Sequence, residues 1–356
     1  MRTFVLAATL LSLALIPATL RAPGLRAQTL RAQSLLAQEA PSPDAPPPAS
    51  DAPAPVADEQ AVATLNVNVN LVNLYFSARD KDGFITNLVK SDCVVAEDKA
   101  PQTIKNFTQE KNLPLTIGIL LDTSGSQTNV LPLEKESGAT FLRDVLTPKD
   151  EAFLISFDIN VDLLADYTNR ASEIARAMNK ATINTGATYG SVTGNGPPRG
   201  TLLFDAVYLA ANDKLRMEAG RKILVLLTDG GDQGSQETLK SATEAAQKAN
   251  AIVYVILIAD RRFYGAGMMY NGAGDMQRLA SDTGGRMIDV GHDGKRLEDA
   301  FRQIQDELRT QYLLSYTPTN AKADGTFRKI TLNCGKNLKV QTRTGYYAIS
   351  AADASN

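Results

Sequence analysis

Tryptophan is absent from the 356 residues, and histidine occurs once, at His292. A single imidazole excludes every mechanism that needs two, including the His-Glu-x-x-His zinc hydrolases. Cysteine occurs only at Cys93 and Cys334, far apart and never as Cys-x-x-Cys, which speaks against a zinc module. There is no Gly-x-Ser-x-Gly nucleophile elbow and no phosphate-binding loop. Excess charge is also missing. The net charge is -2, and Arg2, Arg21, Arg26 and Arg31 stand in the first 33 residues with no acidic partner. The remainder is therefore at about -6 and offers no basic footprint for nucleic acid. With 44% apolar and 21% charged residues the chain can bury a core, and its length suits two domains of ordinary size.

Met1-Arg2 precedes an apolar segment from Phe4 to Leu20 that is broken at Pro17. A basic start and a short apolar core read as an export signal rather than a membrane span. Residues 1–33 are assigned to this signal region. Small-residue endings recur at Leu20-Arg21-Ala22, Leu25-Arg26-Ala27 and Leu30-Arg31-Ala32, so the cleavage point stays open. No cysteine follows, so a lipid anchor is excluded, and membrane contact would come only through an uncleaved leader. Residues 34–61 form a Pro/Ala-rich linker with nothing to bury. The expected location is outside the cytoplasm: periplasm, cell surface or secreted.

Residues 62–111 read as a β-rich segment. Leu65, Val67, Val69 and Leu71 alternate with asparagines; the phase then flips, and Val72, Leu74 and Phe76 continue, which predicts a bulge near Leu71. Asp82-Gly83 is a hairpin turn signal, and further strands are expected at 84–89, 93–96 and 102–108.

From residue 112 to 310 apolar strands alternate with helical patterns, which implies a mostly parallel, doubly wound α/β sheet. Strands are expected at 116–121, 152–157, 223–228, 252–258 and 286–290, with an antiparallel edge strand at 161–165. Helices are expected at 133–146, 172–181, 202–214, 236–249 (capped by Ser235), 275–282 (ended by Gly284) and 296–309.

The run Ile117-Gly118-Ile119-Leu120-Leu121 ends abruptly in Asp122-Thr123-Ser124-Gly125-Ser126. A buried parallel strand followed by a polar loop puts that loop at the sheet's carboxyl edge, where open α/β sheets bind ligands. Two more loops share that edge: Gly200-Thr201-Leu202-Leu203-Phe204-Asp205, which opens a helix, and Thr228-Asp229-Gly230-Gly231-Asp232, which follows a strand. Asp122, Ser124, Ser126, Thr201 and Asp229 are thus expected to converge. They offer only hard oxygen atoms, which suit Mg²⁺, or Mn²⁺ or Ca²⁺ in its place, better than Zn²⁺. Asp205 is expected to stabilise the first turn of its helix, Asp232 to screen the site or face water, and His292 to sit in a turn.

Asp122-x-Ser124-x-Ser126, with Thr201 and Asp229 on two later loops, resembles the metal-ion-dependent adhesion site of von Willebrand factor type A domains. More of the chain resembles the secreted VWFA-related proteins of Acidobacteria: the turn Arg79-Asp80-Lys81-Asp82-Gly83, the stretch Tyr312-Leu313-Leu314-Ser315-Tyr316-Thr317-Pro318, and Arg343-Thr344-Gly345-Tyr346. The resemblance implies that the serine hydroxyls bind the ion directly, that the aspartates hold its waters, and that the ion binds an exposed Asp or Glu of a partner protein. A Gly-rich insert between Asn184 and Gly200 departs from the family pattern. It leaves Thr201 or Thr188 to complete the set; Thr201-Leu-Leu-Phe-Asp205 fits the family's entry into a helix better. Tyr189 in that insert, and Tyr264 and Tyr270 in the loop 263–274, are candidate partner contacts, because interfaces favour tyrosine.

Residues 311–348 return to β structure, with strands expected at 311–316, 328–333, 338–342 and 345–348 before a short tail at 349–356. These strands are too few for an independent domain and are expected to pair with 62–111. The α/β body would then be inserted into a small antiparallel β-sandwich-like domain. Cys93 lies before the insertion and Cys334 after it, and an oxidising compartment would link them. The expectation is an exported, metal-dependent protein-binding module and not an enzyme. The alternatives are a structural envelope protein with an empty ion site, and a metal-assisted hydrolase with Asp229 as base.

Overall fold

Unbroken apolar runs leave the central strands no wet face, so helices must cover both sides of their sheet. The computed structural model describes residues 71–110, 113–184, 200–259 and 272–348. All of these belong to one folded unit, Asn66–Asn356. The leader, the linker, the strand expected before residue 71 and most of the tail lie outside the described residues, as do Thr188, Tyr189, Tyr264 and Tyr270.

In chain order the strands are β1 (Val72–Arg79), β2 (Cys93–Glu97), β3 (Ala100–Gln102), β4 (Ile104–Gln109), β5 (Leu115–Asp122), β6 (Glu151–Phe157), β7 (Val161–Thr168), β8 (Arg221–Thr228), β9 (Ala251–Leu257), β10 (Met287–Asp289), β11 (Tyr312–Tyr316), β12 (Phe327–Cys334), β13 (Lys339–Thr342) and β14 (Gly345–Tyr347). The helices are α1 (Leu131–Val145), α2 (Ala171–Lys180), α3 (Leu203–Leu209), α4 (Leu239–Lys248), α5 (Gly272–Thr283) and α6 (Gly294–Thr310).

A six-stranded sheet has the order β10-β9-β8-β5-β6-β7, parallel except for β7. Helices α1, α2 and α6 cover one face, where Ile117, Ile119 and Leu121 meet Phe141, Ile174, Phe301 and Ile304. Helices α3, α4 and α5 cover the other, where Leu120, Leu224 and Leu226 meet Leu203, Val207, Ala242, Met276 and Leu279. The sheet is therefore a doubly wound α/β layer. From β5 the chain goes to β6 on one side and later returns to β8 on the other. That reversal opens a crevice at the carboxyl ends of β5 and β8, the standard ligand position in such sheets.

Two antiparallel four-stranded sheets, β13-β1-β11-β4 and β14-β12-β2-β3, are built from both ends of the described chain. Their shared core holds Leu74, Phe76, Val95, Tyr312, Leu314, Tyr316, Ile330 and Leu332. β4 and β11, the strands that leave and re-enter this region, pair directly, with Gln109 opposite Tyr312. The α/β layer is thus inserted between two halves of a β-sandwich. Cys93 and Cys334 are opposite residues on β2 and β12, and their sulfurs form a disulfide.

Two local expectations fail. Residues 84–89 form no strand; only Phe84 makes an isolated bridge, to Arg79. The backbone donors of this stretch go elsewhere: the Leu88 N–H to the Tyr312 hydroxyl and the Val89 N–H to the Asp92 carboxylate. Helix α4 starts at Leu239, capped by Thr238, whose Oγ1 accepts the Ser241 N–H at 3.2 Å. Ser235 is not its cap. The Asp205 carboxylate takes the N–H groups of Gln236 and Glu237 at 3.1 and 2.7 Å, and Ser235 donates to Asp232. With those donors captured by a residue of α3, the helix cannot begin earlier.

Candidate functional site

β5 ends at Asp122, whose carboxylate is fully buried and held at both oxygens. Oδ1 accepts the Ser124 N–H at 3.0 Å, and Oδ2 accepts the Thr228 hydroxyl at 2.6 Å. The first bond tightens the loop after β5. The second ties that loop to the end of β8, so Thr228 joins two of the three loops. Thr228 Oγ1 also accepts the Gly230 N–H at 3.0 Å, and Asp229 Oδ1 accepts the Gly231 N–H at 3.0 Å. Gly230 needs its positive φ of 81° to make this turn, a conformation other residues rarely adopt. Ser124 and Ser126 bring their hydroxyl oxygens to 3.0 Å of each other.

The third loop is attached through the backbone. Thr201 and Gln233 exchange N–H···O bonds in both directions at 2.9 Å, which lays the Thr201 loop against the one that follows Asp229. The Leu202 N–H donates to the Asp158 carbonyl at 2.8 Å, and the Asp158 carboxylate accepts the Thr123 hydroxyl at 2.9 Å. The circuit closes: the β5 loop reaches Asp158, Asp158 reaches the Thr201 loop, that loop reaches Gln233, and Thr228 returns to Asp122. The loops bearing Asp122, Ser124 and Ser126, Thr201, and Asp229 are therefore stitched into one cluster at the sheet's carboxyl edge. Asp205 and Asp232 serve the loops around Thr201 and Asp229: Asp232 accepts the Phe204 N–H and the Ser235 hydroxyl.

The cluster is rich in buried carboxyl groups. Asp122, Ser124 and Asp229 are 0%, 6% and 2% exposed. Burial, and then the nearby Asp229 carboxylate, push the Asp122 carboxyl up to about 7, against the pull of its bonds from Ser124 and Thr228. A further carboxylate escapes the motif. Glu134, in the first turn of α1, is fully buried, and among the described residues neither of its oxygens has a hydrogen-bond partner. Burial, then Asp122 and Asp229, hold its carboxyl well above the usual carboxylate range. Gln127, on the 3₁₀ turn Gly125–Gln127, buries an unpartnered Oε1 as well. One signal for Glu134 was present in the sequence: it falls on the helical stripe Leu131, Glu134, Gly138, Phe141, Leu142, Val145, all buried, where a charged residue is out of place.

These atoms fit a divalent cation. They are all oxygens, and they include the acceptors of Glu134 and Gln127 that have no donor among the described residues. Among the described residues no three His, Cys, Asp or Glu side chains close around a single point. The fit is therefore to a site of mixed hydroxyls and carboxylates with waters between, not to an all-carboxylate cage.

No protein-family model and no curated protein sequence matches the chain. Among solved structures it is similar to the conserved hypothetical protein BatB from Bacteroides thetaiotaomicron (16% identity, 55% of this chain and 99% of that one, TM-score 0.43). It is similar to proximal thread matrix protein 1 from the mussel byssus, solved with a zinc-occupied MIDAS motif (16% identity, 58% of this chain and 48% of that one, TM-score 0.44). It spans about half the length of that mussel protein. A third is the vWF domain of the type V pili tip protein Mfa5 from Porphyromonas gingivalis (13% identity, 55% of this chain and 95% of that one, TM-score 0.40). The strand order, the helices on both faces and the polar loops at the carboxyl edge fit the α/β fold of von Willebrand factor A domains.

Proposed function

We propose that this chain is an exported binding module that takes a divalent cation at the carboxyl edge of its sheet and uses it to hold an acidic side chain of a partner protein. The observation that carries this reading is the Ser124–Ser126 hydroxyl pair, 3.0 Å apart, beside the buried carboxylates of Asp122 and Asp229. Neutral hydroxyl ligands leave part of the ion's charge uncompensated. Mg²⁺, the ion we favour ahead of Mn²⁺ or Ca²⁺, also keeps several waters, so one position stays exchangeable. A partner's Asp or Glu side chain would replace that water. The Cys93–Cys334 disulfide suits an oxidising compartment and thus export.

Binding is favoured over catalysis. A hydrolase would need a general base free to reach a water or substrate. Both Asp122 oxygens are already engaged, and Asp229 Oδ1 holds the Gly231 N–H. Titration calorimetry with MgCl₂ and MnCl₂, alongside pull-downs from envelope extract with and without EDTA, tests the proposal. The wild type should bind ion and capture partner only with ion present. Ser124→Ala should lose an ion ligand, bind ion at least about tenfold more weakly, and fail in capture while keeping its circular dichroism. Ion-independent capture by both proteins would rule the bridge out. Absence of heat and of any thermal shift would favour a structural protein with an empty site.

A further inference from the structure

The von Willebrand-type constellation leaves one buried charge unexplained. Glu134 follows the Asp122–Ser126 loop by one short turn in the chain and lies in the first turn of α1. The ordinary role for a carboxylate in a first helical turn is to balance the helix dipole from solvent, a small gain. Glu134 cannot be in that role alone. It is fully buried, neither oxygen has a hydrogen-bond partner among the described residues, and the charges that act on it most are those of Asp122 and Asp229. Burying a carboxylate without a partner costs more than a helix terminus returns. An apolar residue would fill this position on the α1 stripe at no such cost. A positive charge between α1 and the ends of β5 and β8 would give the Glu134 carboxylate the partner it lacks and would act on Asp122 and Asp229 as well.

We propose that Glu134 is a third carboxylate of the cation site, acting on the ion through one of the ion's waters. This rests on the ion-site reading above and adds a residue that the motif does not contain. The contact is assigned to a water because no three carboxylates close on one point among the described residues, which leaves Glu134 without a place as a direct ligand beside Asp122 and Asp229. Glu134 is fully buried, so it holds the ion without touching a partner. It is a positioning residue: it raises the chain's own hold on the ion, so that the ion is loaded before any partner arrives.

The test is calorimetric titration of the full chain with MgCl₂ and MnCl₂, on the wild type, Glu134→Gln and Glu134→Met, with thermal melts in EDTA and at saturating ion. Glu134→Gln keeps the shape and removes the charge; Glu134→Met removes the polar atoms as well. Loss of an outer-shell group should weaken ion binding by about 10- to 100-fold. The ion-free melting temperature should hold or rise, because a desolvated carboxyl without a partner is removed, and the ion-induced increase should shrink. A purely structural residue would give the opposite split: a lower ion-free melting temperature and unchanged ion affinity. If the wild type binds ion and either folded variant binds it equally well, this inference falls and the site stands. If the wild type binds neither ion, both fall.

Discussion

At the scale of single residues, the site depends on a side chain outside the motif. Thr228 donates to Asp122 and accepts from Gly230 while fully buried. Thr228→Val keeps the volume and leaves both partners unpaired, so urea denaturation should show a loss of about 1–3 kcal/mol. Away from the site, Lys222 is 8% exposed at the start of β8. Burial holds its ammonium pKa down at about 8 against an ordinary 10.5, with Glu218 opposing. The sign of the pH dependence follows. Between about pH 8 and 10.5 the unfolded chain keeps a proton that the folded chain has released, so raising the pH across that window favours folding. Below pH 8 both states are protonated and the penalty is complete. Lys222→Met should therefore be more stable than the wild type at pH 7, and the gap should narrow through that window in urea melts. A gap that stays constant with pH would mean that the ammonium is solvated. The placement of Asp122, Ser124, Ser126 and Asp229 at the carboxyl ends of β5 and β8 was legible, because an apolar run that stops at a polar loop marks a strand end. Thr228 was not, because its importance lies in contacts with residues distant in sequence, and Glu134 showed only as a charge on the apolar stripe of α1.

At the scale of elements, close approach decides which positions tolerate a side chain. In β5 a Cβ on Gly118 would press into the Phe153 ring and lie 2.7 Å from Leu224 Cδ2, both on adjacent strands. In α1 a Cβ on Gly138 would meet the terminal methyl of Met178 at 2.6 Å, the free end of a flexible side chain on α2. Gly118→Ala should cost about 1–3 kcal/mol by overpacking. Gly138→Ala should cost less or stabilise, since alanine favours the helix by about 1 kcal/mol and Met178 can turn aside. Equal losses in thermal melts of the two variants would contradict this contrast. The parallel strands were legible because continuous apolar runs bounded by turns have few alternatives. The expected strand at 84–89 and the cap at Ser235 failed for one reason. Side chains from other elements, Tyr312 in one case and Asp205 in the other, compete for backbone donors that a local pattern assigns to a neighbour.

At the scale of the molecule, the α/β layer and the sandwich share more than a connection. Glu307 of α6 forms an ion pair with Arg286 and accepts the Ser77 hydroxyl of β1 at 2.7 Å, so the end of the insertion is tied to the first strand of the sandwich. The disulfide adds a covalent tie inside the sandwich core, between residues 241 apart in sequence. Opening it with Cys93→Ser and Cys334→Ser together should lower stability by about 2–5 kcal/mol in non-reducing urea melts, because the unfolded chain regains the freedom the bridge removes. A stability equal to wild type would mean that β2 and β12 hold together without it.

The sequence by itself determined the alternation of strands and helices, the polar strand ends and the oxygen chemistry of the candidate site, because each follows from local periodicity and residue type. Tertiary structure alone decided that Thr228 would bridge two loops, that Glu134 would lose its water, and that the backbone of Gln236 and Glu237 would belong to Asp205. Those outcomes depend on distances between segments far apart in the chain, and such distances exist only after the helices have packed on both faces of the sheet.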